Sequence, residues 1–221
     1  QLSHLQELFL SGVGMRWALG WPSFTLALAL RTSLTSLNLC NNPVGDLGAP
    51  LLMDALGGLP QLGYVDLSYL HLTAFDVAEG VRGLTQVTHL VLSRNPLSST
   101  LPLMALTQLR GLSMRDSGLI RADWPALLPH LTRLERLSLP ASPLSETPEL
   151  EWGRLKGLTH LEYLQCGPAE GLVGVSVTLT YLDLSETLAS ATLFVEQLKR
   201  WSKLETLMMA KLNCNTTDVP L

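Results

Sequence analysis

Nine times along 221 residues, leucine or an apolar stand-in recurs with the spacing L-x-x-L-x-L. The clearest copy runs from Leu34 to Leu62, LTSLNLCNNPVGDLGAPLLMDALGGLPQL. Leu37 and Leu39 have strand period, so both point to one face and Ser36, Asn38 and Cys40 to the other. Asn42 follows where the chain must turn, and its amide can bond neighbouring backbone groups. Gly45-Asp46 and Gly48 allow the bend into a helix. Leu51, Leu52, Leu56 and Leu59 then recur at roughly helical spacing, which predicts a helix face packed back on the strand leucines. Gly57-Gly58 and Pro60 end that helix. One such unit cannot bury its own apolar face, whereas stacked neighbours can.

The nine units begin at Leu5, Leu34, Leu62, Val87, Leu109, Leu134, Leu161, Leu179 and Leu204, with spacings of 29, 28, 25, 22, 25, 27, 18 and 25 residues. The first two spacings suit a helix behind the strands. The 22 and the 18 leave too little room and predict short turns or extended chain. The turn position is Asn only at Asn42 and Asn95, and elsewhere it holds Val13, Leu70, Ser117, Ser142, Ala169, Thr187 and Leu212. Such unequal units predict an unevenly curved array. Nine strands would make a sheet about 40 Å long.

On Leu34, Leu37, Leu39, Asn42, Gly45, Asp46, Gly48, Leu51 and Leu56 the chain resembles the leucine-rich-repeat family, and in this unit its ribonuclease-inhibitor-like members. The resemblance implies an α/β leucine-rich-repeat solenoid: a curved horseshoe of about nine repeats, with a concave parallel sheet and convex mixed helices and irregular segments. Residues 1–221 are expected to form a single leucine-rich-repeat domain. Neither end shows an evident polar cap, so either the sequence is a piece of a longer protein or its ends are covered by a partner or another copy.

The strand face turned away from the core is the default binding surface of a solenoid. Repeat phase places Tyr64, Asp66, His89, Arg115, Arg136, Tyr163, Tyr181 and Asp183 on that face, and Tyr69, Arg94 and Asp116 along its rim. All four tyrosines thus fall on the face or its rim, and tyrosine and arginine are frequent interface anchors. The alternative is that Tyr-Leu-Asp-Leu-Ser is ordinary strand filling. His89, Arg94, Arg115 and Arg136 form a central basic group that suits an acidic peptide or carboxylate held by arginine forks. The competing reading is solvated charge, with Arg115 paired to Asp116 or Asp66. The tryptophans Trp17, Trp21, Trp124, Trp152 and Trp201 all lie outside the strands and are expected on the convex side.

No chemistry emerges from the motifs. The chain has no zinc-spaced His/Cys set, no H-E-x-x-H, no Gly-rich phosphate loop and no G-x-S-x-G elbow. His130 and His160 each precede a leucine on entry to a repeat (Leu131, ahead of the unit start Leu134, and Leu161) and read as loop or capping residues, and Glu149 and Glu151 lie in a Pro-rich loop. The chain is therefore expected to be no enzyme and to need no cofactor, metal or small-molecule substrate. A net charge of -4 gives no reason to expect nucleic acid. The longest apolar run, Phe24 to Leu30, is too short to insert across a bilayer.

Cys40, Cys166 and Cys214 are odd in number and scattered, unlike a disulfide framework. Cys166 replaces a core leucine and should be buried and reduced, whereas Cys40 should sit on the outer face. An intracellular, cytoplasmic setting is expected. The sequon at Asn215 is a glycosylation site in the extracellular alternative. The function expected is a non-catalytic protein–protein interaction scaffold that binds a protein or peptide on its concave face, as the recognition module of a larger receptor or adaptor. The alternatives are a regulator of an enzyme, of inhibitor or small-GTPase-activator type, and an extracellular receptor or matrix repeat protein.

Overall fold

The computed structural model describes residues 4–14, 20–117, 124–139, 155, 157–166, 178–185 and 198–209. Nine short parallel strands form one open sheet in strict chain order. They are β1 (Glu7–Phe9), β2 (Ser36–Asn38), β3 (Tyr64–Asp66), β4 (His89–Val91), β5 (Gly111–Ser113), β6 (Arg136–Ser138), β7 (Tyr163–Gln165), β8 (Tyr181–Asp183) and β9 (Thr206–Met208). The register is in phase throughout, so Leu8, Leu37, Val65, Leu90, Leu112, Leu137, Leu164, Leu182 and Leu207 stand in one inward row. The seven inner members are buried, and Leu8 and Leu207 are half-buried because each has a neighbouring strand on one side only. Burying a leucine this fully is worth about 1.5–3 kcal/mol, which makes this row the main tie between repeats.

Behind the sheet, the connections follow the spacing. The long repeats hold α1 (Gly20–Ala29) and α2 (Gly45–Gly57). The next holds a shorter α3 (Ala74–Gly80) followed by a 3-10 turn at Val81–Gly83. The 22-residue repeat has only a 3-10 turn at Leu101–Ala105. The one after it has α4 (Trp124–Leu127) and a 3-10 turn at Leu128–His130. The 18-residue repeat's connection, and the turn positions Ser142, Ala169, Thr187 and Leu212, lie outside the described residues. At α3, Thr73 accepts a bond from the Asp76 N–H while the Asp76 carboxylate accepts from the Thr73 N–H, a reciprocal cap that starts the helix.

Two local expectations change. Leu51 is 42% exposed, and the inward stripe of α2 is Gly48, Ala49, Leu52, Met53, Ala55 and Leu56. Gly48 does not form the bend. A Cβ there would lie 3.0 Å from Trp21 Cγ, so this glycine sets how closely α1 and α2 approach, while Gly45, at φ +66°, makes the turn. Val13 is 56% exposed and takes no core position. Trp21 and Trp201 are buried behind the sheet as expected, while Trp17 and Trp152 lie outside the described residues.

The turn residues act as internal staples. Asn95 is buried, and its Nδ2 donates to the carbonyls of Leu67 at 2.8 Å and Leu92 at 2.9 Å. Its Oδ1 accepts from the N–H groups of Leu70 and Leu72 at 3.1 and 3.0 Å. One side chain thus joins two repeats where the backbone bends out of sheet pairing. Asn42 does the same toward the preceding repeat, with Nδ2 donating to Leu10 and Leu39 carbonyls at 2.7 and 2.9 Å. Ser117 is a shorter substitute, and its hydroxyl donates to the Leu92 carbonyl at 3.3 Å.

Candidate functional site

The sheet face opposite the core carries two rows. The first is Glu7, Ser36, Tyr64, His89, Gly111, Arg136, Tyr163, Tyr181 and Thr206, each beside the next by strand register. Five of the residues picked out from the sequence, Tyr64, His89, Arg136, Tyr163 and Tyr181, therefore share one line. Tyr163 and Tyr181 stack with centroids 4.5 Å apart and planes 15° apart. The Arg136 guanidinium carbon sits 4.8 Å from the Tyr163 centroid, within cation–π range. The Tyr181 ring, for which ordinary strand filling was the alternative, is thus part of a three-member stack.

The second row holds Asn38, Asp66, Val91, Ser113, Ser138, Gln165 and Asp183. Here the carboxylates are engaged within the fold. Asp66 accepts from the Ser68 N–H at 2.9 Å and from the Asn38 amide at 3.3 Å. Asp183 accepts from the Ser185 N–H at 2.8 Å and from the Gln165 amide at 2.7 Å. Each carboxylate caps the backbone two residues on, at the last point where the strand needs a partner. Both residues lie on the face as expected, and their bonds are structural.

The rim differs again. Asn41, Tyr69, Arg94 and Asp116 all adopt positive φ, at 60°, 58°, 58° and 51°, where the first repeat has Gly12 at 64°. Asn and Asp tolerate this region, but Tyr and Arg do so at a cost of about 1–2 kcal/mol. Arg94 pairs with Asp116 at 3.3 Å, with both side chains largely exposed. The sequence reading had offered Arg115 as the partner of Asp116 or Asp66, and the structure gives Asp116 to Arg94 instead. Arg115 and Arg136 are exposed and in no ion pair among the described residues. Asn215 and Cys214 lie outside the described residues.

Sequence reasoning missed two groups. His71, at φ 64°, sets its ring edge-on to Tyr69 at 5.8 Å. Arg110 and Glu135, each just before a strand, form an ion pair that flanks the first row. The signal available was the repeated position ahead of each strand, occupied by Thr35, Thr88 and Thr180 in other repeats. Those threonines donate to the carbonyls of Gln6, Gly63 and Glu162.

The titrating groups have shifted protonation. Burial, then Asp66 and Cys40, hold the Tyr64 phenol above its usual range. Burial and the neighbouring Tyr181 do the same for Tyr163, with Asp183 adding to the rise and a Ser138 hydrogen bond and Arg115 opposing it. Both phenols therefore stay protonated as donors at neutral pH. Burial lowers the His89 value, with Glu135 opposing and Arg136 and Arg110 reinforcing. Burial and Asp66 push up the Cys40 thiol, with a Ser11 hydrogen bond and Arg94 opposing. Cys166, fully buried, is pushed up further by burial and Asp183. Both cysteines are free and held as thiols, hence poor nucleophiles. Among the described residues no three His, Cys, Asp or Glu side chains lie together as a metal site, and no helix is long and apolar enough to cross a membrane.

In-phase parallel strands, an inward leucine row and Asn staples define a leucine-rich-repeat solenoid. No protein-family model matches the chain, and no curated protein sequence matches it. Solved structures of the same architecture include internalin C2 of Listeria monocytogenes, at TM-score 0.63 and 19% identity over 92% of this chain and 80% of that one. A chain of the mouse RP105/MD-1 complex matches at TM-score 0.63 and 20% identity, over 96% of this chain and 35% of that one. One from the TLR13–ssRNA13 complex matches at 0.62 and 18%, over 96% and 33%. This chain spans about a third of the length of those last two. At these identities the likeness is one of fold.

Proposed function

We propose that the chain is a non-catalytic scaffold that binds a protein or peptide partner on the outer face of its sheet, centred on β3 to β8. The supporting observation is the first row. Tyr64, His89, Arg136, Tyr163 and Tyr181 stand in register, and among the described residues Arg136 and nearby Arg115 are in no ion pair while the carboxylates beside them are engaged. Charges and aromatic rings held ready in this way need little reordering on binding, which favours affinity. An intracellular setting belongs to this reading, supported by the free Cys40 and Cys166 thiols. A glycan found on Asn215 of the native protein would overturn that part.

The test compares wild-type bait with a Tyr64→Ala, Arg115→Glu, Arg136→Glu bait in a native extract. The expected result is a protein captured by wild type and lost by the variant, with the variant still folded in thermal melts: Arg115 and Arg136 are exposed and Tyr64 is half-buried, so the melting temperature falls by only about 2–4 °C. Equal capture by both baits would move the binding surface elsewhere.

A further inference from the structure

The first row has one interruption, at Gly111. A Cβ there would lie 2.5 Å from His89 Cδ2 and 3.4 Å from Nε2, so the missing side chain is what lets the imidazole lie across β5. The opening is a hollow of about 190 Å³ lined by Tyr64, His89, Gly111, Ser113, Arg136 and Tyr163, among others. Small-molecule pockets usually measure about 300–1,000 Å³. This one suits a single side chain of a partner.

The polar atoms around it have a definite sense. Thr88 Oγ1 donates to the Gly63 carbonyl at 3.1 Å and also lies 3.0 Å from His89 Nδ1. With that hydroxyl proton given to the Gly63 carbonyl, the neutral ring is assigned its own proton on Nδ1, which leaves Nε2, at the Gly111 edge, bare. Arg136 stands on the far side of Gly111 from His89. Arg115 lies close enough for its charge to reach the Tyr163 phenol. The nearby carboxylates are occupied: Glu135 by Arg110, Asp116 by Arg94, and Asp66 and Asp183 by backbone and amide donors. The wall of the hollow is largely apolar, with Arg136 as its one cation, and among the described residues it contains no carboxylate.

We propose that this hollow receives a carboxylate, the Asp or Glu side chain of an acidic partner segment, gripped by Arg136 with Arg115 close by and by His89 once that ring takes a second proton. The inference rests on the outer face being the partner surface and adds the partner's chemistry. A neutral His89 turns a lone pair toward the carboxylate, whereas the imidazolium donates to it from Nε2. The groups facing His89 are Tyr64 on β3, Arg110 ahead of β5, and Glu135 and Arg136 at β6. Burial keeps the free ring neutral near pH 7, with the two arginines reinforcing and Glu135 opposing. Carboxylate binding therefore tightens as pH falls below 6.5. A phosphate backbone fits less well. Nucleic-acid affinity grows with the number of phosphates neutralised, and the described residues of this face offer two arginines outside ion pairs on a chain of net charge -4.

Fluorescence anisotropy with a labelled, N-acetylated hexa-aspartate peptide tests this at pH 7.5 and 5.5, where aspartate stays ionised. Hexa-asparagine is the uncharged control and a single-stranded RNA hexamer the competing anion. The expected result is hexa-aspartate binding tighter at pH 5.5 than at 7.5, by up to about tenfold, the ceiling set by one pKa unit of coupling, and no hexa-asparagine binding. Arg136→Gln weakens binding about tenfold at both pH values, and His89→Gln abolishes the pH dependence. Thermal melts check folding, and His89→Phe, which keeps a ring over Gly111 without a titrating nitrogen, replaces a misfolded His89→Gln. Absence of hexa-aspartate binding, unchanged binding in Arg136→Gln, retained pH dependence in the His89 variant, or tighter binding of RNA would each overturn the proposal. If the peptide fails while partner capture still depends on Arg136, the carboxylate assignment falls and the outer-face reading stands. If capture is also independent of Arg136, both fall.

Discussion

The turn row and the outer row are placed by the same repeat, yet they treat polar atoms in opposite ways. At the turns, Asn42 and Asn95 are buried and bond across to a neighbouring repeat. On the outer face, Arg136 and Arg115 reach solvent without an ion pair among the described residues. The second row lies between these extremes, because Asp66 and Asp183 look like binding groups from their position but serve the backbone. Position in the repeat thus says where a polar residue points, and the neighbours within reach decide whether it is free to meet a partner.

The largest effect should come from the turns. Asn95→Ala leaves the Leu70 and Leu72 N–H groups without their acceptor and should cost about 3 kcal/mol, lowering the melting temperature by about 6–12 °C. Asn42→Ala should cost about 2 kcal/mol by the same reasoning. A neutral result at either site in thermal denaturation would remove the distinction between the two rows. Next comes a paired measurement in the outer face. Asp66→Ala should cost about 1 kcal/mol by freeing the Ser68 N–H, whereas Arg136→Ala should stay within about 0.5 kcal/mol. Equal losses in urea titration would make Arg136 structural.

Smaller still is the rim. Arg94→Gly relieves a positive φ and gives up only an exposed ion pair, so it should be neutral or stabilising by about 0.5 kcal/mol. A clear loss would show that the Arg94 side chain supports the fold. The smallest expected effect is the pH dependence from His89. Its folded-state value lies below 6.5, so protonation favours the unfolded chain. Stability is complete above pH 6.5 and declines as pH falls from there through the lowered value. The difference in melting temperature between wild type and His89→Gln should therefore change between pH 7.5 and 5, in the direction of relative loss for wild type. A pH-independent difference would sink this point.

Much of the architecture was legible because it depends on two short periods. Alternation by two sorted Leu37 from Ser36 and Asn38, and the recurring leucines set nine strands side by side. The 22-residue spacing predicted a short turn or extended chain rather than a helix, and the structure has a 3-10 turn at Leu101–Ala105. Within α2 the reading was less exact. Leu51 satisfied a helical pattern but faces solvent, because the close approach of Trp21 over Gly48 sets the rotation of that helix. Gly111 follows the same alternation onto the outer face, but a glycine inside a strand signals a close approach without saying by what. The imidazole that crosses it comes from the preceding repeat, 22 residues away.

By itself, the sequence determined the strand order, the inward leucine row, the face of each strand residue and the Asn staples. These follow from local geometry and from the need of each repeat to bury its apolar side against the next. Only the tertiary structure decided that Arg94 takes Asp116, that Asp66 and Asp183 are spent on backbone N–H groups, and that His89, Gly111 and Arg136 frame one hollow. Those outcomes depend on which side chains come within about 3 Å of one another across repeats of unequal length. Charge pairing and hydrogen bonding are settled at that distance, and repeat phase alone does not resolve it.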